Sequence, residues 1–438
     1  MKMEKVINLR FRNNMPIWAF YRSGVLLFEK RTHQKLESLK IKNQKMIKFF
    51  NLFKGMRYIF FKRKKIFLFS TTALNFKNNT KYKNILDDYY YEIYPNETQI
   101  FESPLEDFSW KTPREKKFST INTYLEILAI ILGKIIPLKS NNQDVKKFFL
   151  EIYETNKQIT YKKLLEIERR VFWVEKVFEL FFRITKPKLI LFNCASYGQN
   201  LSVIINVAKN LGIKTGEVQH GIVSKGHIVY QLNEIEQLKL KDYFPDYFLT
   251  FGRYWNMQVC LPSNNIVIGN PDINSHLKKL NDKKIIKTID YLIVSQWTLT
   301  NKMIEIAIEL RKYKKNEKIY FRLHPSEILT KNQIKLLREN NIKICDKKNG
   351  IYYFLERSKN IIGCYSTVLI ESVIFKNNIY IYDNELSREN IPEGIGQFFK
   401  NVKEITDINK YNFVDYDYYW DSNFKENYIS FIENIIKI

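Results

Sequence analysis

The chain has 438 residues, including 71 Lys or Arg and 46 Asp or Glu, so its formal net charge is +25. Hydrophobic residues make up 45% of it, which excludes a disordered or collagen-like chain because there is enough apolar material for packed cores. Its four cysteines are widely spaced, which excludes a disulfide scaffold or zinc ribbon and fits a reducing cytoplasm. The length of the chain predicts two or three domains.

The N-terminal region concentrates the charge. Residues 1–80 hold nineteen Lys or Arg and three acids, a net +16. Basic and aromatic side chains alternate over residues 1–60, which we predict to form a basic arm, with 33–55 compatible with a helix. No apolar signal region follows the first 14 residues, and the apolar stretch 124–138 is interrupted by charges and too short to span a bilayer. We therefore expect a soluble or peripheral protein.

Secondary structure can be predicted from the spacing of apolar residues. The run IFLFS at 66–70 predicts a buried strand, residues 71–120 predict loop and short helix, and 120–186 repeat apolar residues at helical spacing. After residue 187, strands at 189–194, 214–219, 247–252 and 264–271 alternate with helix at 201–211. This alternation predicts a parallel sheet.

A polar segment, 272–288, is predicted to be a linker to a second alternating series. Strands are predicted at 291–296, 318–323, 342–345, 360–364 and 378–383, with helices between them and a final helix at 424–438. The fold class is therefore α/β, with two Rossmann-like domains facing across a cleft and a basic N-terminal extension. The predicted boundaries are 1–60 for the arm, 61–275 for the first domain with a helical insertion, and 285–438 for the second. Ligands of such sheets bind at the carboxyl ends of the strands.

Three segments place reactive side chains at predicted strand ends. In GEVQHG, His220 follows a strand and could act as a general base, because an ordinary histidine titrates near neutral pH. Gly221 next to it would permit an unusual turn or a close backbone approach. A structural, hydrogen-bonded histidine is the alternative for this position.

The second segment is YFRLHPSE at 320–327, where one strand directs Arg322 and His324 to the same side, a pair that suits phosphate or carboxylate. The third is GCYSTVLIE at 363–371, where Ser366 and Thr367 open a helix whose free N–H groups favour phosphate. Glu371 lies one turn further on, where it could accept hydrogen bonds from ribose. An incidental histidine and an ordinary helix cap are the alternatives.

Together the three segments, with FNCASYGQN and PDYFLTFGRYW upstream, resemble bacterial surface-polysaccharide glycosyltransferases of the GT-B architecture, over roughly residues 187–385. The histidine followed by proline, and the later Ser-Thr pair, are also similar to sialyltransferases and polysialyltransferases. The whole series is similar to teichoic-acid glycerophosphotransferases. An acidic-acidic-Gly motif, which such sialyltransferases use as base, is missing near His220, where the nearest acid, Glu217, is expected to be structural. This departure argues against a CMP-sialic acid donor.

The resemblance implies a role for each matching residue. The donor's phosphates and nucleotide would contact Arg322, His324, Ser366, Thr367 and Glu371 in the second domain. Catalysis would involve His220 and His324, with His220 facing the acceptor hydroxyl, and Gln219, Gly221 and Tyr197 would line the acceptor side of the cleft. The leaving phosphate would be stabilised without a metal, so no cofactor is expected beyond the nucleotide-sugar substrate, and a base on the acceptor side favours inversion. Whether the donor is of hexosyl, sialyl or Kdo type stays open.

The alternatives are a CDP-polyol phosphotransferase of the teichoic-acid type and, more remotely, a nucleic-acid-binding protein. No nucleic-acid-binding motif accompanies the positive charge, so nucleic acid is not an expected partner. The expected partners are a nucleotide sugar, a glycan or lipid-linked glycan acceptor for capsule or lipopolysaccharide, and an anionic membrane surface contacted through residues 1–80. We therefore expect a cytoplasmic protein, peripheral on the inner face of the cytoplasmic membrane.

Overall fold

A computed structural model describes residues 3–32, 44–78, 80–105, 110–136, 142–153, 159–281, 286–296, 298–324, 327–346, 349–405 and 414–436. His33 and Pro325, which belong to segments discussed above, lie outside these ranges. Within them, the strands form two parallel sheets and one short hairpin. The predicted α/β class with two Rossmann-like halves is thus confirmed.

In the described part of the chain, the first sheet has seven parallel strands in the order β5-β4-β1-β6-β7-β8-β9. Its central strands are buried apolar runs, as expected of a parallel sheet covered on both faces. The short antiparallel hairpin β2-β3 lies outside this sheet. The strands are β1 Ile66–Ser70, β2 Asn75–Asn78, β3 Lys81–Asn84, β4 Thr98–Glu102, β5 Phe118–Ser119, β6 Leu189–Asn193, β7 Lys214–Val218, β8 Tyr247–Thr250 and β9 Asn264–Val267.

Helices surround this sheet, and the longest is α6, which packs along α4 through its row of buried apolar residues. An N-cap bond from the Lys163 backbone N–H to the Thr160 side chain begins α6, and Lys186, in the left-handed conformation, ends it. The helices are α1 Ile17–Thr32, α2 Gln44–Gly55, α3 Asp87–Ile93, α4 Ile121–Ile135, α5 Gln143–Tyr153, α6 Tyr161–Thr185, α7 Asn200–Asn210, α8 Glu234–Leu240, α9 Arg253–Asn256 and α10 Pro271–Asn281.

The second sheet contains six parallel strands among the described residues, in the order β12-β11-β10-β13-β14-β15. Its strands are β10 Ile289–Val294, β11 Ile319–Arg322, β12 Lys343–Ile344, β13 Ser358–Gly363, β14 Asn378–Tyr382 and β15 Gln397–Phe399. The remaining helices are α11 Thr300–Tyr313, α12 Lys331–Glu339, α13 Ile351–Arg357, α14 Thr367–Glu371, α15 Glu385–Asn390, α16 Tyr416–Tyr419 and α17 Phe424–Ile435.

The C-terminal helix returns to the first half of the molecule. Phe424 and Tyr428 of α17 pack on Tyr90 with ring centroids 5.0 and 4.7 Å away, and Phe431 packs on Tyr247. Trp420, just before α17, donates to the Ile370 carbonyl in the second half. The final helix, which we predicted as part of the second domain, therefore links the two halves.

Three predictions from the sequence need correction. The start of the predicted arm, residues 3–27, packs into the core of the first half, with Trp18 and Phe20 buried. The predicted linker begins as helix α10, because its apolar residues are spaced to cover one helix face. Residues 98–102, predicted as loop, form the buried strand β4, which the polar residues Thr98, Gln99 and Glu102 conceal in the sequence. None of the helices in the described ranges combines the length and apolar character needed to cross a bilayer.

Candidate functional site

A hydrogen-bonded chain of side chains lies at the carboxyl end of β7. The Tyr230 hydroxyl donates to Glu217 Oε1 at 2.9 Å and lies 3.5 Å from His220 Nδ1. The other carboxylate oxygen of Glu217 accepts from the backbone N–H of Ser196 at 2.9 Å and from its hydroxyl. Strand β7 thus positions Glu217, and Tyr230 connects its carboxyl group to His220.

Burial sets the protonation of this chain. It lowers the pKa of His220 to about 4, with a smaller contribution from nearby His227. It raises the pKa of Glu217 to about 7, opposed by the hydrogen bonds from Ser196 and Tyr230. Because the Tyr230 hydroxyl gives its proton to Glu217, it can only accept from His220 Nδ1, which leaves Nε2 with the lone pair. His220 is therefore a neutral imidazole at neutral pH, able to take a proton at Nε2.

Tyr197 is held beside His220 by a second histidine. His227 Nδ1 lies 3.1 Å from the Ile222 carbonyl, which can only accept, so Nδ1 carries the hydrogen. His227 Nε2 then accepts from the Tyr197 hydroxyl at 3.0 Å. The Tyr197 ring lies 6.2 Å from the His220 ring. The role predicted for Tyr197 on the acceptor side stays a prediction, and the contribution of His227 was missed in the sequence.

Gln219 and Gly221 have structural surroundings. The buried Gln219 amide accepts from the Phe251 N–H at 2.9 Å and donates to the Gly221 carbonyl at 2.8 Å, so it fixes the turn after β7 to β8. Gly221 does not have a positive φ, and a Cβ there would meet nothing within 4 Å. The expectation that Gly221 permits an unusual turn or a close backbone approach is therefore wrong.

A buried ionic cluster closes the neighbouring strand ends. Arg114 pairs with Asp88 at 2.6 Å and with Glu102, the last residue of β4, at 2.9 Å, and all three side chains are fully buried. Asp87 accepts from Asn193 at the end of β6. Burial raises the pKa of Asp88 to about 6 and of Glu102 to about 7, with Arg114 opposing both shifts. Asp87 and Asp88 are adjacent in the sequence, but Arg114 lies far along the chain, so only folding brings this cluster together.

At the second sheet, Arg322 and His324 have different surroundings. Arg322 ends β11, its guanidinium lies 5.2 Å from the Phe354 ring centre, and Nη1 donates to the Asp346 carbonyl at 2.5 Å. The residue His324 as a whole is exposed, although part of its ring is shielded from solvent. This shielding lowers the pKa of His324, and the Glu327 carboxylate opposes the shift. The guanidinium of Arg322 is thus already engaged beside α13, while His324 is open to solvent.

Glu327 organises this edge of the second sheet and was missed in the sequence. Its side chain, 3% exposed, accepts from Ser295 at 2.7 Å, from Thr300, and from the His324 backbone N–H at 2.9 Å. One carboxylate therefore joins the end of β10, the start of α11 and the loop that carries His324. The sequence contains a signal for it, since an acid follows the strand three residues after His324.

Ser366 and Thr367 lie one strand further on, at the end of β13. The Ser366 hydroxyl caps α14 by accepting from Val368 N–H at 3.3 Å, as predicted. Gln296, following β10, accepts from the Tyr365 N–H at 3.1 Å. Since α14 has only five residues, its dipole is too short to form an anion site by itself. The half-buried hydroxyls of Ser366 and Thr367 are the groups this edge offers to a ligand.

Glu371 lies at the junction of the two halves. Its carboxyl group bonds to the Tyr352 hydroxyl and is close enough to Asp272 of α10 for charge repulsion, so burial and Asp272 raise its pKa to about 7. Asp272 itself accepts from Tyr89 of α3 at 3.2 Å. The predicted contact of Glu371 with ribose thus competes with partners in both halves.

The predicted residues form two groups. His220, Gln219, Gly221 and Tyr197 gather at the first sheet, while His324, Ser366 and Thr367 follow strands β11 and β13 on either side of β10. The segment after His220 reaches the second half, where Ser224 donates to Asn390 of α15 at 2.7 Å. Within the described ranges, no three His, Cys, Asp or Glu side chains are placed to hold a metal ion.

No protein-family model and no curated protein matches the chain. It is similar in structure to a UDP-GlcNAc 2-epimerase from Neisseria meningitidis bound to UDP-GlcNAc, with a TM-score of 0.49, 10% identity, and coverage of 84% of this chain and 99% of the epimerase. It is also similar to the UDP-GlcNAc 2-epimerase of Methanocaldococcus jannaschii in complex with UDP-GlcNAc and UDP. The TM-score is 0.40, the identity is 17%, and the match covers 61% of this chain and 82% of that epimerase. The similarity to the GtfA/B complex has a TM-score of 0.38 and 9% identity, and it covers 60% of each chain. All three TM-scores lie below 0.5, and the two parallel sheets by themselves show the α/β architecture.

Proposed function

We propose that this protein is a glycosyltransferase that binds a nucleotide sugar between its two halves and transfers the sugar to a hydroxyl of a surface glycan. The observation that carries the proposal is the neutral imidazole of His220, held at the carboxyl edge of the first sheet by Tyr230 and Glu217. A neutral base at the carboxyl end of a strand suits the activation of a hydroxyl.

In the proposed reaction, the acceptor hydroxyl gives its proton to His220 Nε2 while its oxygen attacks the anomeric carbon. The bond from that carbon to the phosphate oxygen breaks, and its electron pair leaves with the nucleotide. Tyr230 stabilises the imidazolium by accepting from Nδ1, and Glu217 supports Tyr230 from behind. A single displacement of this kind inverts the anomeric centre.

The leaving nucleotide would occupy the edge of the second sheet. The exposed ring of His324 and the hydroxyls of Ser366 and Thr367 follow β11 and β13, on either side of β10, and Glu327 and Gln296 fix the loops that carry them. Such donors stabilise charge that develops on phosphate oxygens. Arg322 would contribute only by giving up its bond to the Asp346 carbonyl.

The donor can be identified by thermal-shift measurements with CMP-, CDP-, UDP- and GDP-linked ligands, because a bound ligand stabilises the folded state by mass action. Consumption of the stabilising donor, with and without a glycan acceptor, would then be followed chromatographically. We expect one nucleotide class to stabilise the protein and acceptor-dependent release of its nucleotide. Consumption of a CDP-polyol alone would indicate the phosphotransferase instead. Isomerisation of a nucleotide sugar without an acceptor would exclude transfer.

Variants of the two histidines test the assignment of roles. His220→Asn should lower kcat by about 100-fold or more with little change in donor affinity, because it removes the base. His324→Asn should weaken donor binding as well. Thermal melting controls for folding, and wild-type transfer rates in both variants would refute the site.

A further inference from the structure

A cavity of about 850 Å³ lies between α1, α4 and α6, apart from the His220 group. Gln199 lines it, and the backbone N–H of Gln199 bonds to the Phe20 carbonyl of α1. Gln199 follows Tyr197 in the segment that leads from β6 into α7.

The charge lining the cavity is strongly positive. Glu166 is the sole acid among the described residues that line it, against the cations Lys134, Lys162, Lys163, Arg169 and Arg170. In the described part of the chain, the Arg170 Nε and the Tyr21 hydroxyl are buried and have no hydrogen-bond partner, although the Glu126 carboxylate is close enough to Arg170 for charge attraction. Buried polar groups are nearly always hydrogen-bonded. A bound anion could accept hydrogen bonds from both of these atoms.

Apolar side chains are exposed beside this cavity. Leu128, Ile131 and Ile135 form a stripe on α4, with the Ile135 side chain 70% exposed. Helical spacing puts them next to Ile130 and Lys134, which line the cavity on the same helix. The apolar face of α4 is thus turned outward, away from the sheet.

Helix α2 extends this apolar surface. Phe49, Phe50 and Phe53 are 57 to 63% exposed and lie on one face of α2. The C-terminal end of α2 contacts the start of α4, since the Tyr124 hydroxyl donates to the Leu52 carbonyl at 2.7 Å. Exposed lysines, among them Lys45 and Lys54, accompany the rings. Aromatic rings with lysines around them fit the interface of an anionic membrane.

We propose that this cavity binds the phosphate group of an anionic lipid, while the exposed faces of α2 and α4 enter the membrane surface. The lysines and arginines contact the phosphate, the Tyr21 hydroxyl donates to it, and the lipid chains lie along Leu128, Ile131 and Ile135. This site overlaps the predicted attachment through residues 1–80 only in α2 and in the part of α1 that lines the cavity, because the cavity belongs mainly to α4 and α6. The inference does not depend on the transfer reaction.

Gly24 offers a way to close the cavity without disturbing the fold. It lines the cavity on α1, does not have a positive φ, and has no atom within 4 Å of an added Cβ. Gly24→Phe should fill the cavity and weaken binding to phosphatidylglycerol-containing vesicles at least about tenfold, the equivalent of one charge-assisted hydrogen bond. Gly24→Ala, which adds only a methyl group, is the matched control and should bind like the wild type. Equal binding by the Phe variant would overturn the proposal.

A triple reversal, Lys134→Glu, Lys162→Glu and Lys163→Glu, tests the charge. These side chains are exposed, so the fold should persist, while vesicle affinity should fall about a hundredfold. The control carries Lys312→Glu, Lys315→Glu and Lys331→Glu in the second half, with the same change in net charge and exposed positions. An equal loss of vesicle affinity in both triple variants would show that only net charge matters and would overturn the proposed lipid site in the cavity.

A third set of measurements distinguishes the other occupants. Phe49→Ser with Phe50→Ser and Phe53→Ser should abolish vesicle binding, whereas Leu180→Ser with Leu238→Ser and Met257→Ser, also exposed, should not. If inorganic phosphate stabilises the wild type but vesicles do not bind, the ligand of the cavity is a soluble anion and not a lipid, and the proposal is overturned. If the wild type sediments as a dimer and the three Phe substitutions dissociate it, the exposed face binds a second copy of the chain and not a membrane. Donor thermal shifts should stay unchanged in all these variants, which separates failure here from failure of the proposed function.

Discussion

The carboxyl edges of the two sheets differ in how their polar side chains are held. At the first sheet, Arg114, Asp88 and Glu102 are fully buried and paired, and Glu217 accepts three hydrogen bonds behind His220. At the second sheet, His324 is exposed, and Ser366 and Thr367 are half-buried. The same topology therefore supports a rigid edge in one half and an accessible edge in the other.

This difference separates two tasks. A buried, fully bonded group keeps its position and has a shifted pKa, as a general base requires. Half-buried hydroxyls and an exposed imidazole are accessible to a ligand. Substitutions of the buried titratable groups should therefore affect stability and its pH dependence, and those of the accessible groups at the second edge should affect ligand binding.

The largest effect is expected for Arg114→Met. It leaves Asp87, Asp88 and Glu102 buried without their cation, and breaking a buried pair from one side costs about 3–5 kcal/mol. Urea unfolding measures the loss, which should be smaller at pH 5 than at pH 8 because the raised pKa values let these acids protonate. Arg183→Met, which removes an exposed pair with Glu179, should change stability by less than about 0.5 kcal/mol. Equal effects of the two substitutions would mean that the first edge is not rigidly paired.

His220 should make the protein sensitive to acid. Its pKa is lowered on folding, so the unfolded chain binds the proton first, and stability falls as the pH drops from about 6.5 towards 4. Relative to His220→Asn, the wild type should lose up to about 3 kcal/mol over this window, measured by urea unfolding at several pH values. His324→Asn, at the exposed edge, should show a smaller difference. Parallel pH profiles of His220→Asn and the wild type would contradict burial of this imidazole.

Glu371 should show the opposite dependence. Its pKa is raised on folding, so its ionisation destabilises the protein as the pH rises from about 4.5 through 7. Glu371→Gln keeps an acceptor for Tyr352 and removes the repulsion with Asp272. It should raise stability by about 2 kcal/mol at pH 8 and have no such effect at pH 4. A loss of stability at pH 8 would show that the charge of Glu371 is needed.

The smallest effect on stability distinguishes a ligand contact from a helix cap. Ser366→Ala and Thr330→Ala each remove an N-cap, of α14 and α12, and each should cost about 1 kcal/mol. Only Ser366→Ala should also weaken nucleotide binding, which calorimetry would measure. Equal nucleotide affinity in both variants would limit Ser366 to its capping role.

Much of the fold could be predicted from the sequence where apolar spacing was clear. The runs at 66–70 and 189–194 became central strands because four or five consecutive apolar residues suit a strand buried on both faces. Strand β4 was missed because Gln99 and Glu102 are buried by partners elsewhere in the chain, Lys62 and Arg114. The N-terminal residues were misread as an arm because their Lys and Arg conceal a core helix, in which Arg22 pairs with Glu236.

For the candidate site, the sequence by itself determined which reactive residues follow which strands, because a strand end is a local feature of the chain. Only the tertiary structure decided what surrounds each of them. It gave His220 the support of Tyr230 and Glu217, engaged Arg322 with Asp346, and set Glu371 against Asp272. Burial and charge depend on neighbours brought together by folding, and these set the pKa of a side chain and its freedom to meet a ligand.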